Sequence, residues 1–461
     1  MKAKIITIKD ETPILTGLKK LCQRHVYSFH ALPVSSHGKS DIVDDIPDLF
    51  NTCMENSATG EMFDNFFFPK GIISESQKLT SKLYNSDSSF YITGGTSVAN
   101  QIAITALYKK GDCILIDKNC HQSVHFHSQS IGAQVEYLCP DLQNEDGQIS
   151  AWSFNHLKNK MLAKQEDGKG YDILILTAQS YEGLIYDIPE ILTRLLAAGV
   201  ATRKIFIDEA WGSLNYFSND TRPFTAMNIE NLLCNYPDLE VICTHSAHKS
   251  LFCLRQASLI HCRGKDELPK KIETAKYRIH TTSPNYPILA SLDISQAQMT
   301  RHGNELASYS RQLVNEFIER ISQNPWLGKE SVIQDISSEH WHIHSDPTKI
   351  MINVSKLGSA LDINNQLIQK RIYIKRVINN NLLLNFHIGI NREAVNSLIS
   401  ALEQLCETAT TTDISEQITS DKFIIPYPPG VPIVFPGEII SYEIQKKIDE
   451  LKRSGLLIIA A

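Results

Sequence analysis

Lys249 stands in the run Thr244-His245-Ser246-Ala247-His248-Lys249-Ser250, directly after the apolar stretch Val241-Ile242-Cys243. Forty-one residues earlier, Asp208 closes a second apolar stretch, Lys204-Ile205-Phe206-Ile207-Asp208, and is followed by Glu209-Ala210-Trp211. An amine and a carboxylate, each at the C-terminal end of a short buried strand, form the two poles of a pyridoxal-phosphate (PLP) site. The amine makes a Schiff base with the cofactor, and the carboxylate holds the pyridine nitrogen protonated. A carboxylate that ends a run as apolar as Ile-Phe-Ile needs a partner, because an unpaired buried charge is costly. A protonated pyridine is such a partner; capping a helix is the plain alternative. Ala210 is small enough to lie under a ring, and Trp211 is large enough to wall one.

Three further segments could complete the site. Thr93-Gly94-Gly95-Thr96-Ser97 follows an apolar run and precedes a helical pattern. Glycines let the backbone approach a ligand, and N–H groups at a helix start attract an anion. Gly95, Thr96 and Ser97 therefore read as a phosphate cradle, or more plainly as a capped helix start. The pattern is neither a Walker loop nor GxGxxG, so it does not indicate a nucleotide. His121, in Asp117-Lys118-Asn119-Cys120-His121-Gln122-Ser123, also lies past a strand end, where ligands of open α/β sheets gather. Its imidazole could stack on a flat cofactor, although a lone histidine is more often structural or on the surface. Ser246 could donate to the phosphate, and His248 could touch phosphate or a substrate carboxylate.

These residues need a scaffold that brings strand ends together. From about 70 to 265, short apolar runs alternate with longer amphipathic stretches. The runs are Phe90-Tyr91-Ile92, Cys113-Ile114-Leu115-Ile116, Val135-Glu136-Tyr137-Leu138, Ile173-Leu174-Ile175-Leu176, Ile205-Phe206-Ile207, Val241-Ile242-Cys243 and Ser258-Leu259-Ile260. Such spacing predicts an α/β fold with a mostly parallel sheet and helices on both faces. The division expected is a lead-in over 1–65, a large cofactor domain over 66–300 and a smaller α+β domain over 301–461. A helix is expected between about 290 and 325, and a loop or linker over 407–421.

The chain of 461 residues is too long for one ordinary core. A hydrophobic content of 42% and a charged content of 21% describe an ordinary soluble protein. The formal charge of −6, with no long basic run, argues against nucleic acid. No apolar run approaches the roughly 20 residues of a membrane span, and the start Met1-Lys2-Ala3-Lys4-Ile5-Ile6-Thr7 has no long apolar h-region, so a secretory signal is not expected. The ten cysteines lie singly, without a CxxC pair. They suggest reduced thiols in a cytoplasmic protein rather than a disulfide frame or a metal site.

The segment from Thr244 to Lys249, followed by Gln256-Ala257-Ser258-Leu259-Ile260-His261, resembles the PLP-lysine segment of the bacterial ornithine/lysine/arginine decarboxylases. So do Gly95-Thr96-Ser97-Val98-Ala99-Asn100, Asn119 to Ser123, Tyr181-Glu182-Gly183-Leu184-Ile185-Tyr186 and Asp208 to Trp211. His280-Thr281-Thr282-Ser283-Pro284-Asn285-Tyr286 and Pro426-Tyr427-Pro428-Pro429-Gly430-Val431-Pro432 extend the likeness in the family's order. The resemblance implies the aspartate-aminotransferase-like architecture (PLP fold-type I) and decarboxylation of lysine, ornithine or arginine, as in polyamine biosynthesis. It implies that Lys249 carries the cofactor, Asp208 pairs with the ring nitrogen and His121 stacks on the ring. Thr96, Ser97 and Ser246 would hold the phosphate, and Trp211 would line the ring's edge. It also implies a short form without the N-terminal wing, working as a homodimer with the site at the subunit interface.

Departures from the family pattern bear on the substrate. The expected His-x-Pro-Gly-His-Lys segment is rearranged over Phe29–Lys39, Phe67 stands where a histidine is expected, and Arg255 replaces a small residue before Gln-Ala-Ser. Arg255 and Glu438 are candidate substrate contacts. Another PLP reaction on an amino acid, such as transamination, elimination or oxidative decarboxylation, is the second reading. A non-catalytic regulatory homologue is the third, against which the full set Asp208, Lys249, Ser246 and His121 argues.

Overall fold

The structure is a computed structural model. It describes residues 11–23, 63–144, 149–324, 326–332, 340–413, 419–427, 432–438 and 456–460, with single positions and pairs between 440 and 452. Most of the lead-in, including Phe29–Lys39, and residues 428–431 of the proline-rich run lie outside the described residues.

The first unit is organised by a seven-stranded sheet. Its strands are β1 (Ser88–Ile92), β2 (Cys113–Asp117), β3 (Gln134–Leu138), β4 (Ile173–Thr177), β5 (Lys204–Asp208), β6 (Glu240–His245) and β7 (Ser258–Arg263). Their order across the sheet is β1-β7-β6-β5-β4-β2-β3. β3, β2, β4, β5 and β6 are mutually parallel. Only β7 is reversed, pairing antiparallel with both β6 and β1. The C-terminal ends of six strands and the N-terminal end of β7 therefore share one edge.

Alternate residues of each strand point to opposite faces, and both faces are covered, so the strands read as unbroken apolar runs. On one face Phe90, Ile92, Ile114, Ile116, Ile173, Ile175, Phe206, Ile242 and Ile260 pack with Ile102 and Leu107 of the helix Gly95–Leu107, and with Ile272 of the helix Leu268–Ile279. On the other, Tyr91 and Leu259 pack with Leu289, Leu292 and Met299 of the helix Tyr286–Ser322, and with Ile14 and Leu18 of the helix Pro13–Cys22. Each such fully buried side chain contributes roughly 1.5–3 kcal/mol from removal of apolar surface from water.

The described residues group into two compact units. One holds the residues up to 316 together with 333–351 and 383–391, and the other holds 317–332, 352–382 and 392 onward. The reading from sequence draws boundaries after 65 and after 300, whereas these compact units are discontinuous. The second unit mixes the helices Ala360–Gln369 and Arg392–Asp413 with short strands, among them the antiparallel pair Ile424–Tyr427 and Leu457–Ala460. Residues 407–413, expected as linker, continue the helix that begins at Arg392. A helix already nucleated and packed upstream propagates at little cost through threonines that favour it only weakly. Among the described residues no helix is long and apolar enough to cross a membrane, and the cysteines are free thiols.

Candidate active site

A cleft of about 760 Å³ opens at the shared strand edge of the first unit. Of the twelve candidate residues, eleven line it or lie in its wall: Gly95, Thr96, Ser97, His121, Asp208, Ala210, Trp211, Ser246, His248, Lys249 and Arg255. Glu438 belongs to the second unit, where its carboxylate accepts the Phe435 N–H at 2.9 Å and closes its own turn.

Asp208 ends β5 and is buried. Its Oδ2 accepts from Asn100 Nδ2 at 2.9 Å, and its Oδ1 accepts from the Ala210 N–H at 3.1 Å. The second bond is the local turn that the plain reading of this aspartate expects. The carboxylate is hydrogen-bonded to the neutral donors Asn100 and Ala210. Burial raises its pKa, while Asn100, Ala210, Lys249 and His121 act in the opposite direction.

Lys249 stands on the short helix Ala247–Ser250 directly after β6. Its Nζ lies 4.5 Å from the centre of the Trp211 ring. Burial lowers the amine's pKa, and the second cation Lys349 lowers it further against the opposing pull of Asp208. A lysine so placed spends more of its time as the neutral nucleophile than an exposed one does.

The cradle forms where β1 turns into the helix Gly95–Leu107. Gly95 has φ +79°, in the left-handed region, and a Cβ there would meet nothing within 4 Å, so the position opens into the cleft. Thr96 Oγ1 and the buried Ser246 Oγ hydrogen-bond to each other at the ends of different strands. Ser97 is exposed beside them. His121 caps the helix Gln122–Ser130: its Nδ1 accepts the Ser123 N–H at 3.2 Å and lies 2.9 Å from Ser123 Oγ. His248 donates from Nδ1 to the Ala257 carbonyl at 2.9 Å, and burial lowers its pKa.

The structure adds residues that the sequence reading left without a role. Asn100 sits four residues after Thr96, hence on the same helix face. Its Nδ2 serves Asp208 and, at 3.1 Å, Ser123 Oγ, while its Oδ1 accepts from Thr244 Oγ1 at 2.8 Å. One amide thus ties two strand ends to the start of the helix Gln122–Ser130. That four-residue spacing was a signal open to sequence reading. Behind Trp211, Lys349 pairs with Asp346 at 3.3 Å, and Asp346 accepts from Gln179 of the cleft wall. Lys349 Nζ is 4.9 Å from the Trp211 ring centre, so two amines approach the same indole. Beneath the cleft floor, Glu209 accepts from Cys243 and from His245 Nε2 at 3.0 Å; His245 Nδ1 meets His261 Nε2 at 3.2 Å, and His261 Nδ1 meets Ser89 at 2.7 Å. These are contacts between segments far apart in sequence, so no local pattern announces them.

Phe67 does not line the cleft. Its ring packs edge-on against Tyr277 at 5.3 Å and sits 6.4 Å from His280. His280 Nε2 in turn accepts the Thr93 N–H at 3.2 Å, at the base of the cradle.

The donor set suits PLP: a buried carboxylate without a bonded cation, a lysine, an imidazole and a hydroxyl-lined helix start around one cleft. This sheet, with one reversed strand and the lysine after β6, is the architecture of fold-type I PLP enzymes. The chain matches the Orn/Lys/Arg decarboxylase major domain over residues 12–394 and the Orn/Lys/Arg decarboxylase C-terminal domain over 391–454. It belongs to the Orn/Lys/Arg decarboxylase family, whose members are PLP-dependent enzymes. It is 27% identical to the uncharacterized protein YaaO of Bacillus subtilis, over 95% of this chain and 94% of that protein. It is 26% identical to the arginine decarboxylase of the same organism, over 94% of this chain and 92% of that one. Among solved structures it resembles the Francisella novicida lysine decarboxylase LdcF, with a TM-score of 0.73, 21% identity, and coverage of 96% of this chain and 76% of that one.

Proposed function

We propose that this protein decarboxylates a basic amino acid, lysine, ornithine or arginine, to the corresponding amine. The observation that carries the reading is the placement of Asp208 and Lys249 on one cleft with the Thr96–Ser246 hydroxyl pair. Relatives named arginine decarboxylase and lysine decarboxylase support the substrate class. Glu182 supports it too, as a cleft carboxylate separate from Asp208 that suits a distal cation.

Bound PLP supplies a carbonyl that condenses with amines and a conjugated ring that takes up the electron pair left when CO2 departs. The chain's own residues do the rest. Thr96, Ser97, Ser246 and the N–H groups at the helix start hold the phosphate. Asp208 keeps a proton on the ring nitrogen, and Asn100 fixes the carboxylate that does so. His121 would lie against the ring, with its orientation set by Ser123. Lys249 would hold the cofactor through its amine, and Lys249 or His121 would return a proton to the substrate's Cα.

The test is CO2 release and amine identification on the PLP-loaded protein, with lysine, ornithine, arginine, and then acidic and neutral amino acids. A diamine or agmatine with stoichiometric CO2 is expected. A keto acid or ammonia from these substrates would sink the reading in favour of another reaction on the same scaffold. The working unit is taken as a homodimer, in keeping with the exposed aromatic rings of Phe68 and Tyr277 on the first unit; sedimentation velocity checks it.

A further inference from the structure

We propose that Arg255 is an anchor for the cofactor's phosphate rather than a contact for the substrate. The inference rests on the cofactor assignment and not on which amino acid is consumed. Arg255 lies on the turn that enters β7, and β7 is the one reversed strand, so this turn stands at the same edge as the cradle. The turn is stitched to the site on both sides. The Gly95 N–H donates to the Gln256 carbonyl at 3.0 Å, and His248 Nδ1 donates to the Ala257 carbonyl at 2.9 Å. Gln256 adopts φ +74°, which a non-glycine residue holds only where its surroundings demand it. That left-handed residue bends the chain against Gly95 and brings Arg255 to the cradle rim. Among the described residues the Arg255 guanidinium makes no hydrogen bond or ion pair.

Arg255 is exposed to solvent at the rim of a cradle otherwise built of neutral donors, so an anion bound in the cleft would exchange water for the guanidinium. Three anions or charges could meet it. A guanidinium on the substrate's α-carboxylate would stabilise the charge that must leave as neutral CO2, and so would hold back the reaction. A free guanidinium facing the cationic tail of a basic substrate would repel it. Paired with the phosphate dianion, Arg255 is neutralised, both conflicts disappear, and the fork of donors fits phosphate oxygens bidentately.

The experiment titrates the apo-protein with PLP and, separately, with pyridoxal, following absorbance and quenching of intrinsic fluorescence, for the wild type, Arg255→Gln and Arg255→Lys. The expected result is that Arg255→Gln weakens PLP at least tenfold and leaves pyridoxal unchanged, with Arg255→Lys in between. The wild-type preference for PLP should also fall more steeply with salt than that of Arg255→Gln. PLP affinity unchanged in Arg255→Gln overturns the proposal, as does an equal loss for PLP and pyridoxal. A shift confined to the KM of an amino acid assigns Arg255 to the substrate and also overturns it. Because both ligands are cofactors, failure here leaves the decarboxylation assay untouched. Absence of CO2 from any basic amino acid would sink the functional reading while leaving the phosphate contact measurable.

Discussion

Asp208 and Lys249 make separable contributions, and single substitutions should separate them. Asp208 is held by Asn100 and Ala210 independently of Lys249. Asp208→Ala should therefore keep the fold and the absorbance of covalently bound cofactor while losing turnover by roughly a hundredfold or more, the scale of removing one preorganised electrostatic partner. Lys249→Ala should lose that absorbance altogether. Wild-type-like turnover in the first variant would exclude the ring-nitrogen role, and a persisting covalent band in the second would show the lysine to be misassigned. Both residues were legible in the sequence because each polar group stops an apolar run, which is a local signal. Gln179 was not, because its partners Asn215 and Asp346 lie 36 and 167 residues away, and the spacing that puts Asn100 on one face with Thr96 does not announce its bond to Asp208, 108 residues away.

At the scale of elements, all seven apolar runs read from the sequence are strands of the one sheet. The reversal of β7 was not legible, since an apolar run reads the same in either direction. That reversal is what puts Arg255 and Gln256 at the cleft, so the site could be read more completely than the turn that closes it. The cradle also depends on backbone conformation. Gly95 sits at φ +79° with open space where a Cβ would be, so Gly95→Ala meets no steric clash and its cost is conformational. A left-handed non-glycine residue costs roughly 1–2 kcal/mol. Urea denaturation should show a stability loss of about that size, with weaker PLP binding because the helix start can relax away from its left-handed turn. Unchanged stability and unchanged PLP binding together would show that the cradle does not need this geometry.

At the scale of the whole molecule, one buried amine couples stability to pH. Lys276 lies on the helix Leu268–Ile279, fully buried, with Nζ donating to the Phe66 carbonyl at 2.7 Å and 3.6 Å from the Phe66 ring centre. Burial pushes its pKa down from 10.5 to about 7, with Glu273 opposing. Between those values the unfolded chain binds the proton and the folded chain does not, so stability rises as pH rises from about 7 toward 10.5. Below about 7 both states are protonated, and the full cost of burying the charge is present. Lys276→Met keeps the apolar stem and removes the charge. It should be more stable than the wild type at pH 7, by up to a few kcal/mol less the lost bond to Phe66. The difference between the two proteins should shrink on going to pH 10, because only the wild type gains from deprotonating this group. Denaturant midpoints at several pH values read it directly. A difference that stays constant with pH would show that Lys276 is charged, or neutral, in both states, and that its carbonyl contact alone sets its effect on the fold.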